Sequence, residues 1–379
     1  MHYDYIIVGQ GIAGTMLSNA LLKHHKKILV VDQSFSSTSL AIGGGMYSPI
    51  IFKRFTKAWM VDKLLPQLIR DYTELEQLLN IHFLDKKDIL RIFASEQEKK
   101  LWQNKCIEEA YWNYLYDEIV EDYSPLIHAP YGYGRVKNAG SVNLHLLLNA
   151  FRNYLKLKKL LREERLNYEE IIFEDGEVKW KGVSAKKIIF CEGYYALNNN
   201  PFFNDLPFVL AKGELLKAHP LPHTNWLKSP LDFCPPKGRE QRQHEIKLPE
   251  DYIISSGVNI SPIGNDEFII GSTYSWDDLS FTPTEKGKEE LLSKLKKVLN
   301  VDIEVTSQFS GIRPTVKDRR PLMGLHPQNA SIGIFNGMGT KGVMLAPYFA
   351  EHFTNHLLNN ADLLPEVYAF RHVKENNKK

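Results

Sequence analysis

The chain has 379 residues, of which 24% are charged and 43% hydrophobic, and its formal net charge is +2 at pH 7. Proportions near the globular average exclude a disordered chain, which combines low hydrophobicity with high net charge. The near-neutral balance argues against a dedicated nucleic-acid module, because such modules are usually strongly basic. At roughly 100–200 residues per domain, the length predicts two domains with a sizeable core.

Cysteine usage and the N-terminus bear on the compartment. Cys106, Cys191 and Cys234 are odd in number, far apart and form no CxxC pair, which disfavours a disulfide framework or a zinc site. The first residues lack the basic stretch of a signal peptide, and no apolar run reaches the ~18 residues of a membrane span. We therefore expect a soluble cytoplasmic protein with no metal site and no membrane partner.

The first 32 residues carry the clearest pattern in the chain. Apolar runs at 5–8 and 27–32 predict two strands buried on both faces, and residues 15–22 predict a helix between them. This order of elements predicts a right-handed crossover between parallel strands. The second strand ends in an acid, Asp32.

The turn after the first strand, residues 9–14, reads GQGIAG and fits the pattern GxGxxG. The first glycine of such a turn makes a tight bend, the second admits a pyrophosphate, and the third lets helix and strand pack closely. The pyrophosphate would lie on the helix N-terminus, while the Asp32 carboxylate would bind ribose hydroxyls and disfavour NADP. The alternative is an ordinary glycine-rich turn. The dinucleotide-binding residues predicted here are Gly9, Gly11, Ile12, Ala13, Gly14 and Asp32.

The rest of the chain alternates less regularly. A stretch of small residues at 38–49 includes three consecutive glycines, where backbone can approach a ligand closely. The patterns predict helices at 58–80, 96–115, 142–161, 284–299 and 343–358, a hairpin at 171–180, strands at 187–191, 252–260 and 267–272, and an exposed loop at 229–251. Strands in the middle separate strand–helix patterns at the two ends. This predicts a nucleotide-binding domain built from both ends, with a second sheet inserted.

Several segments carry a family resemblance. Residues 311–324 read GIRPTVKDRRPLMG and are similar to G-x-R-P-x-x-x-D-x-x-P-x-x-G, and residues 337–347 read GMGTKGVMLAP and resemble a flavin-facing glycine loop with its helix. With the N-terminal unit, the strand ending at Gly193 and a Lys-Gly-Glu turn at 212–214, these segments resemble the D-amino acid oxidase superfamily of FAD-dependent oxidoreductases. Glycine oxidase and sarcosine oxidase are members of that superfamily.

The resemblance implies the fold and the cofactor. The implied fold is α/β, with a Rossmann-type FAD-binding domain and an inserted α+β substrate domain that has a mixed or antiparallel sheet. We expect the FAD-binding domain at 1–57, 138–210 and 308–379, and the substrate domain at 58–137 and 211–307. FAD is expected to be non-covalent, because the cysteine that anchors flavin in sarcosine oxidases has no counterpart near the final loop. Further flavin contacts are expected from Gly43, Gly44, Gly45, Gly193, Gly337, Gly339, Thr340, Lys341 and Gly342.

Three cations are the candidate substrate-binding residues. In amino-acid oxidases of this superfamily the arginine of G-x-R-P pairs with the substrate carboxylate, which implies that role for Arg313; the alternative is an arginine that braces the sheet. Sarcosine oxidase-like sequences imply a carboxylate contact for Lys341 and, from the region after the small-residue stretch, for Arg54. The alternative for Lys341 is a solvated loop lysine. No catalytic side chain is assigned, since the sequence has no compelling triad or carboxylate pair.

The activity implied is oxidation of a small amine or amino acid by hydride transfer to flavin N5, followed by hydrolysis of the imine. Met338 and Thr340 stand where glycine oxidase has His and Arg, which argues against glycine itself. One alternative is the tRNA wobble-uridine (carboxymethylaminomethyl) activity, although the near-neutral charge makes nucleic acid an unlikely partner. Another is a flavin-binding subunit or scaffold without its own substrate. The electron acceptor is O₂ or an unidentified group.

Overall fold

The computed structural model describes residues 1–33, 44–121, 124–221 and 248–372. The helices in these ranges are α1 Ile12–Lys23, α2 Val61–Leu79, α3 Glu96–Cys106, α4 Leu144–Leu157, α5 Ala196–Asn199, α6 Glu285–Leu295 and α7 Gly342–Asn359. The strands are β1 His2–Val8, β2 Ile28–Val31, β3 Met46–Tyr47, β4 Ile50–Ile51, β5 Thr56–Lys57, β6 Leu84–Lys86, β7 Asp88–Ile92, β8 Leu115–Val120, β9 Tyr133–Val136, β10 Gly140–Val142, β11 Leu161–Arg162, β12 Ile172–Glu174, β13 Glu177–Trp180, β14 Val183–Phe190, β15 Ala211–Pro220, β16 Tyr252–Ser255, β17 Asn259–Gly264, β18 Glu267–Gly271, β19 Ile303–Arg313, β20 Leu322–His326 and β21 Asn329–Asn336.

The first sheet has the strand order β11-β2-β1-β14-β13-β12, and β21 pairs with both β14 and β20. Strand β1 runs parallel to β2 and to β14, and β14 runs parallel to β21. Successive residues of β1 face different cores: Ile7 packs in the core that includes α1 and α7, whereas Ile6 packs on the opposite side. Burial on both faces explains the continuous apolar run. The predicted strand–helix–strand unit is confirmed.

The second sheet has the order β19-β15-β18-β17-β16-β7-β9-β8. Its neighbouring strands are antiparallel except for β7 and β16, which run parallel. One face packs on α6, where Leu216, Ile270 and Leu291 share a core. A parallel-type first sheet and a mixed second sheet confirm the predicted α/β class. Two small sheets, β3-β10-β6 and β4-β5, lie outside these two.

Helix α2 connects with the helical layer of the first sheet. The Tyr72 hydroxyl donates to the Val343 carbonyl oxygen of α7 at 2.9 Å, and Trp59 stacks on Phe349 at 5.5 Å between ring centroids. The sequence boundaries place residues 58–137 in the substrate domain. Those boundaries remain a prediction, and the contacts between residues 58–137 and α7 cross one of them.

Some predicted elements differ from the structure. The helix predicted at 96–115 ends at Cys106, and β8 begins at Leu115. The strand predicted at 252–260 divides at Gly257, whose φ of +64° turns the chain between β16 and β17. The turn predicted at 212–214 lies instead within β15, where these residues pair with β19 and the Lys212 and Glu214 side chains are buried. Much of the loop predicted at 229–251 lies outside the described residues.

Candidate active site

A cavity of about 560 Å³ joins the two large sheets. Val8 and Val31, at the carboxyl ends of β1 and β2, line one part of it, and Leu215 and Ile269 of the second sheet line another. Ligands of open parallel sheets bind outside the carboxyl ends of the strands. The volume lies within the roughly 300–1,000 Å³ typical of small-molecule sites.

The predicted glycine turn has the geometry of a diphosphate cradle. Gly9 has φ +95°, and a Cβ placed on Gly14 would lie 1.9 Å from the Gly9 carbonyl oxygen, so the third glycine permits close packing. A Cβ on Gly11 would meet no atom within 4 Å. Helix α1 begins there without a side-chain cap, and Gly11, Ile12 and Ala13 line the cavity. Its first-turn N–H groups lack intrahelical partners, so the turn fits an anionic diphosphate.

Asp32 lines the cavity at the end of β2, and its carboxylate is held from two sides. It accepts from the Gln10 N–H at 2.9 Å and from Nη1 of Arg152 at 2.7 Å. Burial raises the pKa of Asp32 although both hydrogen bonds oppose that shift. Arg152 also binds Glu163 at 3.1 Å and the Gln10 side chain at 3.0 Å. A carboxylate has about four acceptor sites, so Asp32 retains capacity for ribose hydroxyls.

A half-buried carboxylate, that of Glu192, lies just after the end of β14. Glu192 lines the cavity and accepts from the Tyr168 hydroxyl and, at 2.8 Å, from the amide of Asn200. Burial raises the pKa of this glutamate. Gly193 follows with φ +60°, and no atom lies within 4 Å of a Cβ placed there. The predicted cofactor residue Gly193 therefore borders open space in the cavity.

The second glycine loop meets the first sheet beside Gly193. The Asn336 side-chain amide donates to the Gly193 carbonyl oxygen at 2.9 Å, which ties the two predicted cofactor segments together. Gly339, Thr340, Lys341 and Gly342 line the cavity, and α7 begins there without a side-chain cap. Gly337 lies outside the lining; its φ of +73° makes the bend.

The small-residue stretch reaches the same cavity. Gly44 and Gly45 line it, and a Cβ on Gly45 would lie 1.8 Å from the Val142 carbonyl oxygen. This approach requires glycine, which also has φ +60° there. Gly43 lies outside the described residues.

Arg313 lines the cavity from the end of β19 and is 7% exposed. Its guanidinium donates to the Ser272 hydroxyl at 2.8 Å and to the Thr273 and Lys212 carbonyl oxygens at 3.3 Å. The Tyr274 ring lies 5.2 Å from its Cζ. No ion pair among the described residues includes Arg313, and burial lowers its pKa. Among the residues that the structure describes, this buried cation contacts only neutral oxygens and an aromatic ring, and such a charge is stabilised when an anion binds to it.

Lys341 and Arg54 differ in position. Lys341 lines the cavity, and burial together with the charges of Arg320 and Arg319 lowers its pKa. The Arg320 guanidinium lies 4.0 Å from the Trp59 ring centroid. Arg54 is exposed on the turn between β4 and β5 and does not line the cavity. The structure therefore brings Arg313 and Lys341 to one cavity and leaves Arg54 outside it.

Sequence reasoning missed Arg152 and the Asn336 link. Arg152 lies on the buried face of α4, among Leu148, Phe151 and Leu155. A charged residue within an apolar stripe is a signal that a buried partner exists. No local sequence pattern indicates the role of Asn336, by contrast, because its partner Gly193 is 143 residues away.

Within the described ranges, no cluster of His, Cys, Asp or Glu side chains could hold a metal ion. In the same ranges, no helix is both long and apolar enough to cross a membrane. The parallel strands, the open glycine turn and the acid ending β2 instead define a dinucleotide-binding protein, with a cationic compartment beside the nucleotide site.

Comparisons with known proteins identify the family. Residues 4–356 match the DAO family of FAD-dependent oxidoreductases, and the chain belongs to this family. Glycine oxidase from Bacillus subtilis (strain 168) is 22% identical over 395 aligned positions, covering 98% of this chain and 97% of the relative. The predicted superfamily, fold class and FAD dependence are confirmed.

Two solved structures show the same fold. Glycine oxidase from Geobacillus kaustophilus has a TM-score of 0.74 at 17% identity, covering 96% of each chain. Iminodiacetate oxidase from Chelativorans sp. BNC1 has a TM-score of 0.70 at 17% identity, covering 96% of this chain and 99% of the other. At these identities the likeness concerns the fold alone.

Proposed function

We propose that this FAD-dependent oxidoreductase oxidises a small amine or amino acid that carries a carboxylate, and that Arg313 binds the carboxylate. The observation that carries the proposal is a guanidinium that lines the cavity, is 7% exposed and has no carboxylate partner among the described residues. A planar guanidinium matches a carboxylate bidentately and keeps its charge when buried.

Different residues of the chain would hold the cofactor and the substrate. Bound FAD supplies the two-electron oxidation of the carbon–nitrogen bond. The open turn at Gly11 and the N-terminus of α7 would hold the anionic parts of that cofactor. Arg313 orients the substrate through its carboxylate, and apolar residues Ile50, Leu215 and Ile269 exclude water around it.

Non-covalent attachment is part of the proposal. Cys191 is the cysteine that lines the described cavity, and it lies at the end of β14 beside the Gly9 turn rather than in the 337–342 loop. Burial raises the pKa of its thiol, which disfavours the nucleophilic thiolate. The free thiols of Cys106 and Cys191 also support a reducing, cytoplasmic setting.

Lys341 supplies a second positive charge to the cavity. Its loop is fixed next to the arginine strand, because the Gly339 N–H donates to the Pro314 carbonyl oxygen at 3.2 Å. We propose that Lys341 strengthens carboxylate binding electrostatically, while Arg313 supplies the directional hydrogen bonds.

The test is an anaerobic screen in which purified, FAD-loaded protein is mixed with amines and amino acids while flavin absorbance is recorded. Bleaching by a carboxylate-bearing amine supports the proposal, and reoxidation of the bleached sample in air then decides whether O₂ is the acceptor. Bleaching only by tRNA would replace the proposal with the wobble-uridine activity. Absence of bleaching by either would favour a flavin-binding subunit without its own substrate.

A further inference from the structure

Arg313 lies between strand β15 and the segment of residues 272–284, which connects β18 to α6. We propose that Lys212 is a positioning residue for substrate binding, because it fastens the 272–284 segment that holds the Arg313 guanidinium. This inference rests on the proposed function, in which Arg313 binds the carboxylate of the substrate.

The first half of the segment touches the guanidinium directly. The Ser272 hydroxyl accepts from Nη2 of Arg313 at 2.8 Å, and the Thr273 carbonyl oxygen accepts from the same nitrogen at 3.3 Å. The chain then runs beside β15: the Ser275 N–H donates to the Lys212 carbonyl oxygen at 3.0 Å, and the reverse bond is 2.8 Å. The two walls of the arginine site are therefore joined through the backbone of Lys212.

The side chain of Lys212 holds the second half of the segment. Its ammonium is bound to Asp278 Oδ2 at 2.5 Å, the Ser280 hydroxyl at 3.2 Å and the Thr282 carbonyl oxygen at 2.6 Å. The residue is 1% exposed. An ammonium has three donors, and all three go to this one segment. The arrangement therefore anchors the segment and leaves the ammonium no donor for a substrate.

Side chains on the two faces of β15 have different roles. A Cβ on Gly213 would lie 1.9 Å from Nη2 of Arg313, so the glycine makes room for the guanidinium on one face of the strand. Lys212 and Glu214 project to the opposite face. Glu214 accepts from the N–H of Thr284 at 2.8 Å and from its hydroxyl at 2.7 Å. Adjacent residues of one strand thus make room for the Arg313 guanidinium and hold the 272–284 segment that forms the other wall of its site.

The segment also contacts the cavity wall. The Phe281 ring packs edge-on against Tyr194 with centroids 4.9 Å apart, and Tyr194 lines the cavity. The hydrogen bond from Lys212 is the main reason that the pKa of Asp278 falls to about 2. The Asp278 carboxylate is therefore ionised at the pH values of an ordinary assay.

The experiment uses FAD-loaded enzyme and acetate as a carboxylate probe that cannot be oxidised as an amine, titrated while flavin absorbance is recorded. Lys212→Met and Asp278→Asn should weaken acetate binding and raise KM for the substrate found in the screen by about tenfold to a hundredfold, with kcat changed little. Amide hydrogen exchange should become faster at residues 273–275. The affinity for FAD should stay unchanged. Lys286→Met, an exposed lysine at the start of α6, is the matched control.

The outcomes separate this inference from the proposed function. If Arg313→Met loses acetate while Lys212→Met and Asp278→Asn bind it like the Lys286→Met control, the inference is overturned and the proposed function stands. If Arg313→Met binds acetate as the wild type does, both fail. Should Lys212→Met not fold, Asp278→Asn decides alone, because the Asp278 side chain is 42% exposed and its amide keeps the shape.

Discussion

Two buried arginines in different regions of the molecule differ in whether they have carboxylate partners. Arg152, beside the nucleotide turn, is 5% exposed and pairs with Asp32 and Glu163. Arg313, in the second sheet, is 7% exposed and has no carboxylate partner among the described residues. A buried charge with internal partners stabilises the fold around it, whereas one without them is stabilised when a ligand supplies the missing charge. Exposure alone would not distinguish these roles.

Arg152→Met tests the arginine that has carboxylate partners, and it should have the largest effect on stability. The Asp32 carboxylate, whose side chain is 17% exposed, would lose its cation, so the free energy of unfolding should fall by about 3 kcal/mol, the lower end for a buried ion pair. Urea unfolding followed by circular dichroism measures this. Arg313→Met is the control, and it should lose less stability because no carboxylate is orphaned. Equal losses, or a greater loss for Arg313→Met, would contradict the comparison.

Gly213→Ala tests the geometry of the unpaired arginine. The added Cβ would displace the guanidinium, a movable side-chain end, so we expect KM for a carboxylate substrate to rise about tenfold to a hundredfold while the fold persists. In an Arg313→Met background the same change should add nothing further, because the two residues act on one contact. An additive loss in the double variant would refute the arrangement.

Lys341 should give the cationic compartment a pH dependence. Burial and two neighbouring arginines lower its pKa, so its charge is present below that value and is lost as pH rises through it. Acetate affinity should then fall by up to about tenfold on the alkaline side, at a lower pH than for an ordinary lysine. Titrations across pH should show this limb in the wild type and a flat profile in Lys341→Met. A limb retained in that variant would assign the titration to another group.

Arg54→Ala should give the smallest effect. The residue is exposed and lies outside the cavity lining, so stability should change by less than about 0.5 kcal/mol. Steady-state kinetics should give kcat/KM close to that of the wild type. A clear rise in KM would return Arg54 to the list of carboxylate-binding residues.

The nucleotide-binding region could be predicted from sequence because each of its motifs lies within a short stretch of the chain. Residues 9–14 and Asp32 belong to one strand–helix–strand unit, and the 337–342 loop opens the helix that follows it. Each carries its own spacing signal, so family, fold class and cofactor could be predicted.

The substrate region is assembled from distant segments, which limits prediction. Arg313 could be predicted from its motif, but Gly213 is a hundred residues earlier and its contact is visible only in the register of β15 and β19. The resemblance predicted a turn at 212–214, whereas these residues lie within β15. Their partners in the 278–284 region carry no pattern that links them to β15.

The most direct test of the central claim compares an amino acid from the screen with the amine formed by removing its carboxylate. Wild-type enzyme and Arg313→Met are assayed for flavin reduction with both compounds. We predict that the variant loses several kcal/mol of transition-state binding for the amino acid, at least about a hundredfold in kcat/KM, and little for the amine. Equal losses for the two compounds would contradict the assignment of Arg313 to the carboxylate.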